Sequence, residues 1–276
     1  MKGEPAWFAG PEHQSFELVA DPPRGVALLL HGFPGTPAEL RPLGEVLAAA
    51  GVSALAPLLP GFGPAMHQLA NVGEAEWLAS AGEAWAGVRA RNLPTLLVGY
   101  SMGGALALRL AAEWPPDRLV LVAPLWRLLG PAWPLGALLP LVQHLMPGIG
   151  LLDRGSALDN PELRQFFARA APDLDLNCQE VRAELRQHVR LPTAAIAQLW
   201  RLSIGSGAAA RRVRVPTLIL QGQADRVVRP RDTRVLGGRL RGPVQLHELA
   251  AGHLLLDPTT PAWEHVRDLI LSFIQG

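Results

Sequence analysis

Several things are nearly missing from this sequence. It has one cysteine, one tyrosine and one lysine in 276 residues. With Cys178 alone, no intrachain disulfide can form. Cys178 also lies outside any Cys/His pattern and reads as a structural thiol rather than a nucleophile. Neither sign of charge is in excess: 25 basic residues face 24 acidic ones, for a formal net charge of +1. That balance gives no bulk electrostatic reason to expect a nucleic-acid partner. No apolar stretch approaches the length of a membrane span, which argues against stable membrane insertion. Met1–Trp7 lack an apolar signal core, so a cytoplasmic location is the expectation. Metal-ligand spacings, His-Glu-x-x-His, a Gly-x-Gly-x-x-Gly after the first buried strand and a phosphate loop ending in Lys-Ser/Thr are all missing. No metal, nucleotide or other cofactor is therefore expected.

What is present is a core. Hydrophobic residues make up 49% of the chain and charged residues 18%, enough for one large α/β domain or two small ones. Ser15–Ala20 alternates weakly and reads as a first strand. Val26–His31 is continuously apolar to its end, as expected for a strand inside a sheet covered on both faces. Helical spacing of Leu40, Leu43, Val46 and Leu47 follows, stopped at Gly51. Val52–Pro57 is a short strand, and Glu74–Asn92 a helix whose apolar face is Trp77, Leu78, Ala81, Trp85 and Val88. Leu119–Pro124, Val215–Gly222 and Pro243–Leu249 are further strands, and Pro261–Ile274 is a terminal amphipathic helix. This alternation predicts a mostly parallel sheet flanked by helices.

The centre of the chain is Leu96-Leu97-Val98-Gly99-Tyr100-Ser101-Met102-Gly103-Gly104. An apolar strand meets Gly-x-Ser-x-Gly and continues as the helix-forming run Ala105–Ala112. That is the sequence form of a nucleophile elbow. The turn aims the Ser101 hydroxyl away from the sheet. It also leaves the Met102 amide at a helix N-terminus, where it can bind an oxyanion. A Gly-rich turn whose serine only caps a helix is the competing reading, and the strand–turn–helix context disfavours it.

His31-Gly32-Phe33-Pro34-Gly35 after a buried strand, then Gly99–Gly104, then a late Asp and a later His, resembles the α/β-hydrolase superfamily. Within it the chain looks most like bacterial carboxylesterases related to monoacylglycerol lipases. The order Ser…Asp…His is that family's order. The resemblance implies a catalytic Ser101, with Asp225 in the turn after a late strand as the acid and His253 beyond the last strand as the base. It also implies that the Phe33 amide partners Met102 in an oxyanion hole. His31 is then a strut for its loop, and His247, inside a strand, is the weaker competitor for the base. Asp232 and Asp257 rank below Asp225. Phe62 stands where the esterase relatives often carry the histidine of a Gly-His-Gly turn.

Between residues 125 and 212 the pattern is helical with no convincing strand. Helices are expected at Gly136–Met146, Pro161–Ala170, Gln179–His188 and Thr193–Leu202. The segment resembles the cap of lipase-like hydrolases, inserted into a core of residues 1–124 and 213–276. Its apolar residues, with Trp126, Leu128, Trp133 and Leu138 as candidates, are expected to contact substrate. Arg211-Arg212-Val213-Arg214 reads as a solvated return to the core. The implied activity is a serine carboxylesterase acting on small ester molecules of short to medium chain. A carbon–carbon bond hydrolase or lyase on the same triad, with Arg127 holding a substrate carboxylate, and a non-catalytic ligand-binding member of the superfamily are the alternatives.

Overall fold

The run Val26–Leu30 has no polar side to give to water, and the fold covers both of its faces. In the computed structural model, which describes residues 8, 10–128, 130–150, 164, 167, 168, 175–188 and 190–276, these residues are all buried. The strands in chain order are β1 (Phe16–Leu18), β2 (Gly25–Leu30), β3 (Val52–Ala56), β4 (Thr95–Tyr100), β5 (Arg118–Val122), β6 (Gly148–Gly150), β7 (Arg190–Pro192), β8 (Thr217–Gly222) and β9 (Val244–Leu249). Seven of them form one sheet in the order β1-β3-β2-β4-β5-β8-β9. β1 runs antiparallel to β3, and every other pairing in this sheet is parallel.

The helices are α1 (Arg41–Ala49), α2 (Glu74–Arg89), α3 (Met102–Glu113), α4 (Leu139–Leu145), α5 (Gln179–His188), α6 (Thr193–Ala209), α7 (Pro230–Gly237) and α8 (Trp263–Gln275). Side chains alternate across a strand, so Val26, Leu28 and Leu30 join one core and Ala27 and Leu29 the other. The first core is closed by Trp77 and Trp85 of α2, by α3 and by Leu199 and Leu202 of α6. Leu43 and Leu47 of α1, with Val266 and Ile270 of α8, close the second. The two α2 indoles keep their N–H groups satisfied at the core edge. Trp77 donates to the Pro60 carbonyl at 3.0 Å and Trp85 to that of Trp114 at 2.9 Å. Gly51 ends the α1 region with a φ of +85°, a conformation a side chain would disfavour.

Between β5 and β8 the structure corrects one expectation. Gly148–Gly150 and Arg190–Pro192 pair antiparallel as a small separate ribbon, so the segment is not strand-free. Gly136–Met146 is a 3-10 stretch over Gly130–Leu138 followed by α4. The next helices run over Gln179–His188 and Thr193–Ala209, the second a full turn or more longer than expected. Most of Pro161–Ala170 lies outside the described residues. Among the described residues no helix is long and apolar enough to cross a membrane.

Candidate active site

Ser101 stands between β4 and α3 with φ 53° and ψ −114°, left-handed backbone that a non-glycine residue seldom adopts. Neighbours over-determine this conformation. The Ser101 N–H donates to the Val122 carbonyl at 2.9 Å, and its own carbonyl accepts from Gly104 N (3.0 Å) and Leu125 N (2.9 Å). The two flanking glycines make the turn possible by close approach. A Cβ on Gly99 would collide with the Gly103 backbone, and one on Gly103 with the carbonyls of Leu30 and His31. The Ser101 residue is 6% exposed.

The His31–Thr36 loop abuts the same point. A Cβ on Gly32 would lie 3.3 Å from Ser101 Cβ, which brings Phe33 next to the elbow. His31 pins this loop from below. Its Nε2 accepts the Leu59 N–H at 3.2 Å, which leaves the ring proton on Nδ1 to donate to the Gly32 carbonyl at 2.9 Å. Complete burial lowers the His31 pKa to about 4, only partly offset by the bond to Gly32, so the ring is neutral and serves as a strut. Phe62 takes an edge-on contact with His31 at 5.1 Å and with Phe33 at 5.7 Å. His13 adds a further tie through Thr36 Oγ1 at 2.8 Å.

Asp225 and His253 meet beyond the ends of β8 and β9. His253 Nδ1 lies 2.8 Å from Asp225 Oδ2, and both residues are buried. The other carboxylate oxygen, Oδ1, accepts from the amides of Val227 and Val228 at 2.8 Å each. Gly222 lets the two loops touch, since a Cβ there would enter the Gly252 carbonyl. Ala224 N–H also donates to the Ala251 carbonyl at 2.9 Å. Tyr100, immediately before Ser101, donates its hydroxyl to the His253 carbonyl at 3.3 Å, with the two rings 5.3 Å apart. The base loop therefore sits against the elbow.

His247 lies within β9, in register with Leu220, so it is not in the loop that meets Asp225. Asp257 accepts from the amide and hydroxyl of Thr259 and caps a turn, while Asp232 in the first turn of α7 pairs with Arg229 at 2.8 Å. Sequence reasoning missed Gln221. Its Nε2 donates to Asp225 Oδ2 (3.0 Å), to the Gly222 carbonyl (3.1 Å) and to the Val228 carbonyl (3.0 Å). Its Oε1 accepts from the Thr233 hydroxyl at 2.6 Å. The available signal was a lone amide at the end of the apolar run Leu218-Ile219-Leu220, four residues before Asp225.

Three of the four candidate substrate contacts have described side chains, and their settings differ. Trp126 is built into the core, with its Nε1 donating to the Asp232 carbonyl at 2.7 Å. Leu128 is partly buried against the same core, and Leu138 is 52% exposed. The Trp133 side chain lies outside the described residues. No group of His, Cys, Asp and Glu suited to a metal ion occurs among the described residues.

Comparison with known proteins bears on this arrangement. The family described as "Serine aminopeptidase, S33" matches residues 21–253. A thermostable monoacylglycerol lipase from Bacillus sp. (strain H-257) is 31% identical over 221 residues, 78% of this chain and 75% of that protein. A carboxylesterase of Bacillus subtilis (strain 168) is 30% identical over 94 residues, 34% of this chain and 38% of that one. Among solved structures, one described under LipS and LipT, two metagenome-derived lipolytic enzymes, superposes with a TM-score of 0.70 at 22% identity, covering 96% of this chain and 98% of that one. The monoacylglycerol lipase of Paleococcus ferrophilus does so with 0.67 at 19%, covering 95% and 98%. Likeness at these identities bears on the fold.

Proposed function

Since the chain belongs to the serine aminopeptidase S33 family and is an esterase/lipase-type α/β-hydrolase, we propose that it cleaves short- to medium-chain carboxylic esters, monoacylglycerols included, through Ser101, His253 and Asp225. The observation that carries this reading is the His253–Asp225 contact of 2.8 Å. The carboxylate accepts a hydrogen bond from Nδ1–H and so leaves the lone pair on Nε2, the tautomer a general base needs. Ser101 Oγ attacks the ester carbonyl as His253 Nε2 accepts its proton. The oxyanion that forms is held by the backbone N–H groups of Met102 and Phe33, where loss of one such donor costs about 3 kcal/mol of barrier. His253 then protonates the departing alcohol. In the second half a water, deprotonated by the same nitrogen, releases the acid from the Ser101 acyl ester. No cofactor enters the scheme.

In this reading the acyl chain meets Leu128, Trp133 and Leu138 of an insertion spanning residues 125–212. Trp126 drops out of that set, because its indole N–H is committed to Asp232 and its ring is covered by arginines. Nitrophenyl esters of graded acyl length test the proposal. Wild type should turn over with a chain-length optimum, and Ser101→Ala and His253→Ala should each lose at least about 10³-fold in kcat. His247→Ala should stay within about twofold. Retained activity in Ser101→Ala would remove the mechanism. Turnover of aminoacyl nitroanilides but not of esters would replace the ester reading with a peptidase one.

A further inference from the structure

A cavity of about 250 Å³ is lined by Trp126, Arg127, Ile204, Gly207, Ala208, Arg211 and Arg239. None of Ser101, His253, Asp225, Phe33 or Met102 is part of its wall. We propose that this cavity binds a small oxyanion, a phosphate monoester or carboxylate, carried on a short apolar stem.

Trp126 forms the floor of the cavity. It is 4% exposed and held in place by its bond to the Asp232 carbonyl. The guanidinium carbons of Arg127 and Arg239 lie over its ring, 4.3 and 4.6 Å from the centroid. Cation–π contact fixes both side chains in place without consuming their N–H donors. A guanidinium has five such donors, and Arg239 gives one to the Gly207 carbonyl at 3.2 Å.

Three guanidinium groups border one small space. Among the described residues the only carboxylate paired with any of them is Asp232, 3.6 Å from Arg127 and shared with Arg229. The Arg239 pKa is lowered first by burial and further by the nearby charges of Arg211 and Arg127. An oxyanion placed between them would relieve that repulsion and take charge-assisted hydrogen bonds from several sides.

The rest of the wall is apolar. Ile204 and Ala208 face the cavity from α6. Gly207 is tight against the floor, since a Cβ there would come 2.9 Å from Trp126 Cε3. The volume is just below the ~300–1,000 Å³ of drug-sized ligand sites, which suits a compact head and a short stem. The location gives the site a further property. Trp126 and Arg127 begin the 125–212 segment, and Ile204, Ala208 and Arg211 end it. One bound anion would tie both roots of the segment to Arg239 of the core.

The test is calorimetric titration of the full chain with hexyl phosphate, inorganic phosphate and hexanol. Hexyl phosphate should bind wild type more tightly than inorganic phosphate, and hexanol should give no heat that depends on the arginines. Arg211→Gln and Arg239→Gln should each weaken hexyl phosphate by about tenfold or more, while Arg211→Lys should retain part of the affinity. Arg211 is exposed, so Arg211→Gln remains decisive even if Arg239→Gln, which packs on Trp126, does not fold. Equal affinity in wild type and Arg211→Gln would overturn the site, and hexyl phosphate seated elsewhere would give that result. Inorganic phosphate binding as tightly as hexyl phosphate would overturn the apolar stem. Nitrophenyl ester turnover by Arg211→Gln should equal wild type, so failure here is distinct from failure of the esterase reading.

Discussion

At the scale of single residues, the weight falls on the groups that hold the Asp225 carboxylate. Oδ1 is fixed by two amides, but Oδ2 is shared between His253 and Gln221. Gln221→Leu would remove one of those donors and also strand the Thr233 hydroxyl and two carbonyls. We expect kcat to fall about tenfold with KM little changed, together with a stability loss of about 1–3 kcal/mol. Thr233→Val should reproduce the stability loss with a smaller effect on kcat. Steady-state kinetics and urea melts of the two variants check this. The acid and base candidates were legible in the sequence because each lies in a loop just past a readable strand. Gln221 was not, because a single polar residue at a strand end carries no pattern. Its meaning comes from Asp225 and Thr233 folding back onto it.

At the scale of elements, the elbow depends on β4 and α3 crossing the end of β2 closely. Gly103→Ala would drive a methyl group into the Leu30 carbonyl, and backbone cannot yield as the tip of a side chain can. We expect a loss of more than about 4 kcal/mol, seen as failure to accumulate folded protein or a collapsed melting temperature. Gly87→Ala is the control. Nothing lies within 4 Å of a Cβ there, so the gain in helix propensity should leave α2 unchanged or slightly stabilised. Elements with a long period were legible: the Trp77–Val88 face of α2 and the all-apolar β2 both read directly. The β6–β7 ribbon did not. Three residues are too few to show alternation, and Gly148-Ile149-Gly150 is held by pairing with Arg190–Pro192 42 residues away.

At the scale of the whole molecule, the covered parallel sheet could be anticipated, since its central strands β2, β4, β5 and β8 are mostly apolar runs, whereas β1 and β9 at the edges mix polar and apolar residues. The contents of the 125–212 segment could not be anticipated, because its packing is set by what it rests on. Global stability should carry a signature of His31. The folded ring binds a proton only near pH 4, whereas the unfolded one does so near its ordinary 6.5. Over that interval the unfolded chain takes up a proton that the folded chain refuses. Stability is therefore full above about pH 6.5 and falls by about 1.4 kcal/mol per unit as the pH drops toward 4. Urea midpoints from pH 7 to 4.5 should show this slope in wild type and a shallower one in His31→Gln.

The order of strands across the sheet also has a consequence in time. β8 and β9 join at the edge beyond β5, and they deliver Asp225 and His253. A ribosome has already released the elbow, its loop and most of both cores before it reaches these strands, and domains generally start to fold from the N-terminal side during synthesis. A nascent chain that stops short of β9 carries Ser101 but lacks His253, the base of the proposed mechanism. On that mechanism, hydrolysis waits until translation is nearly done, and a product that ends before His253 should be inert.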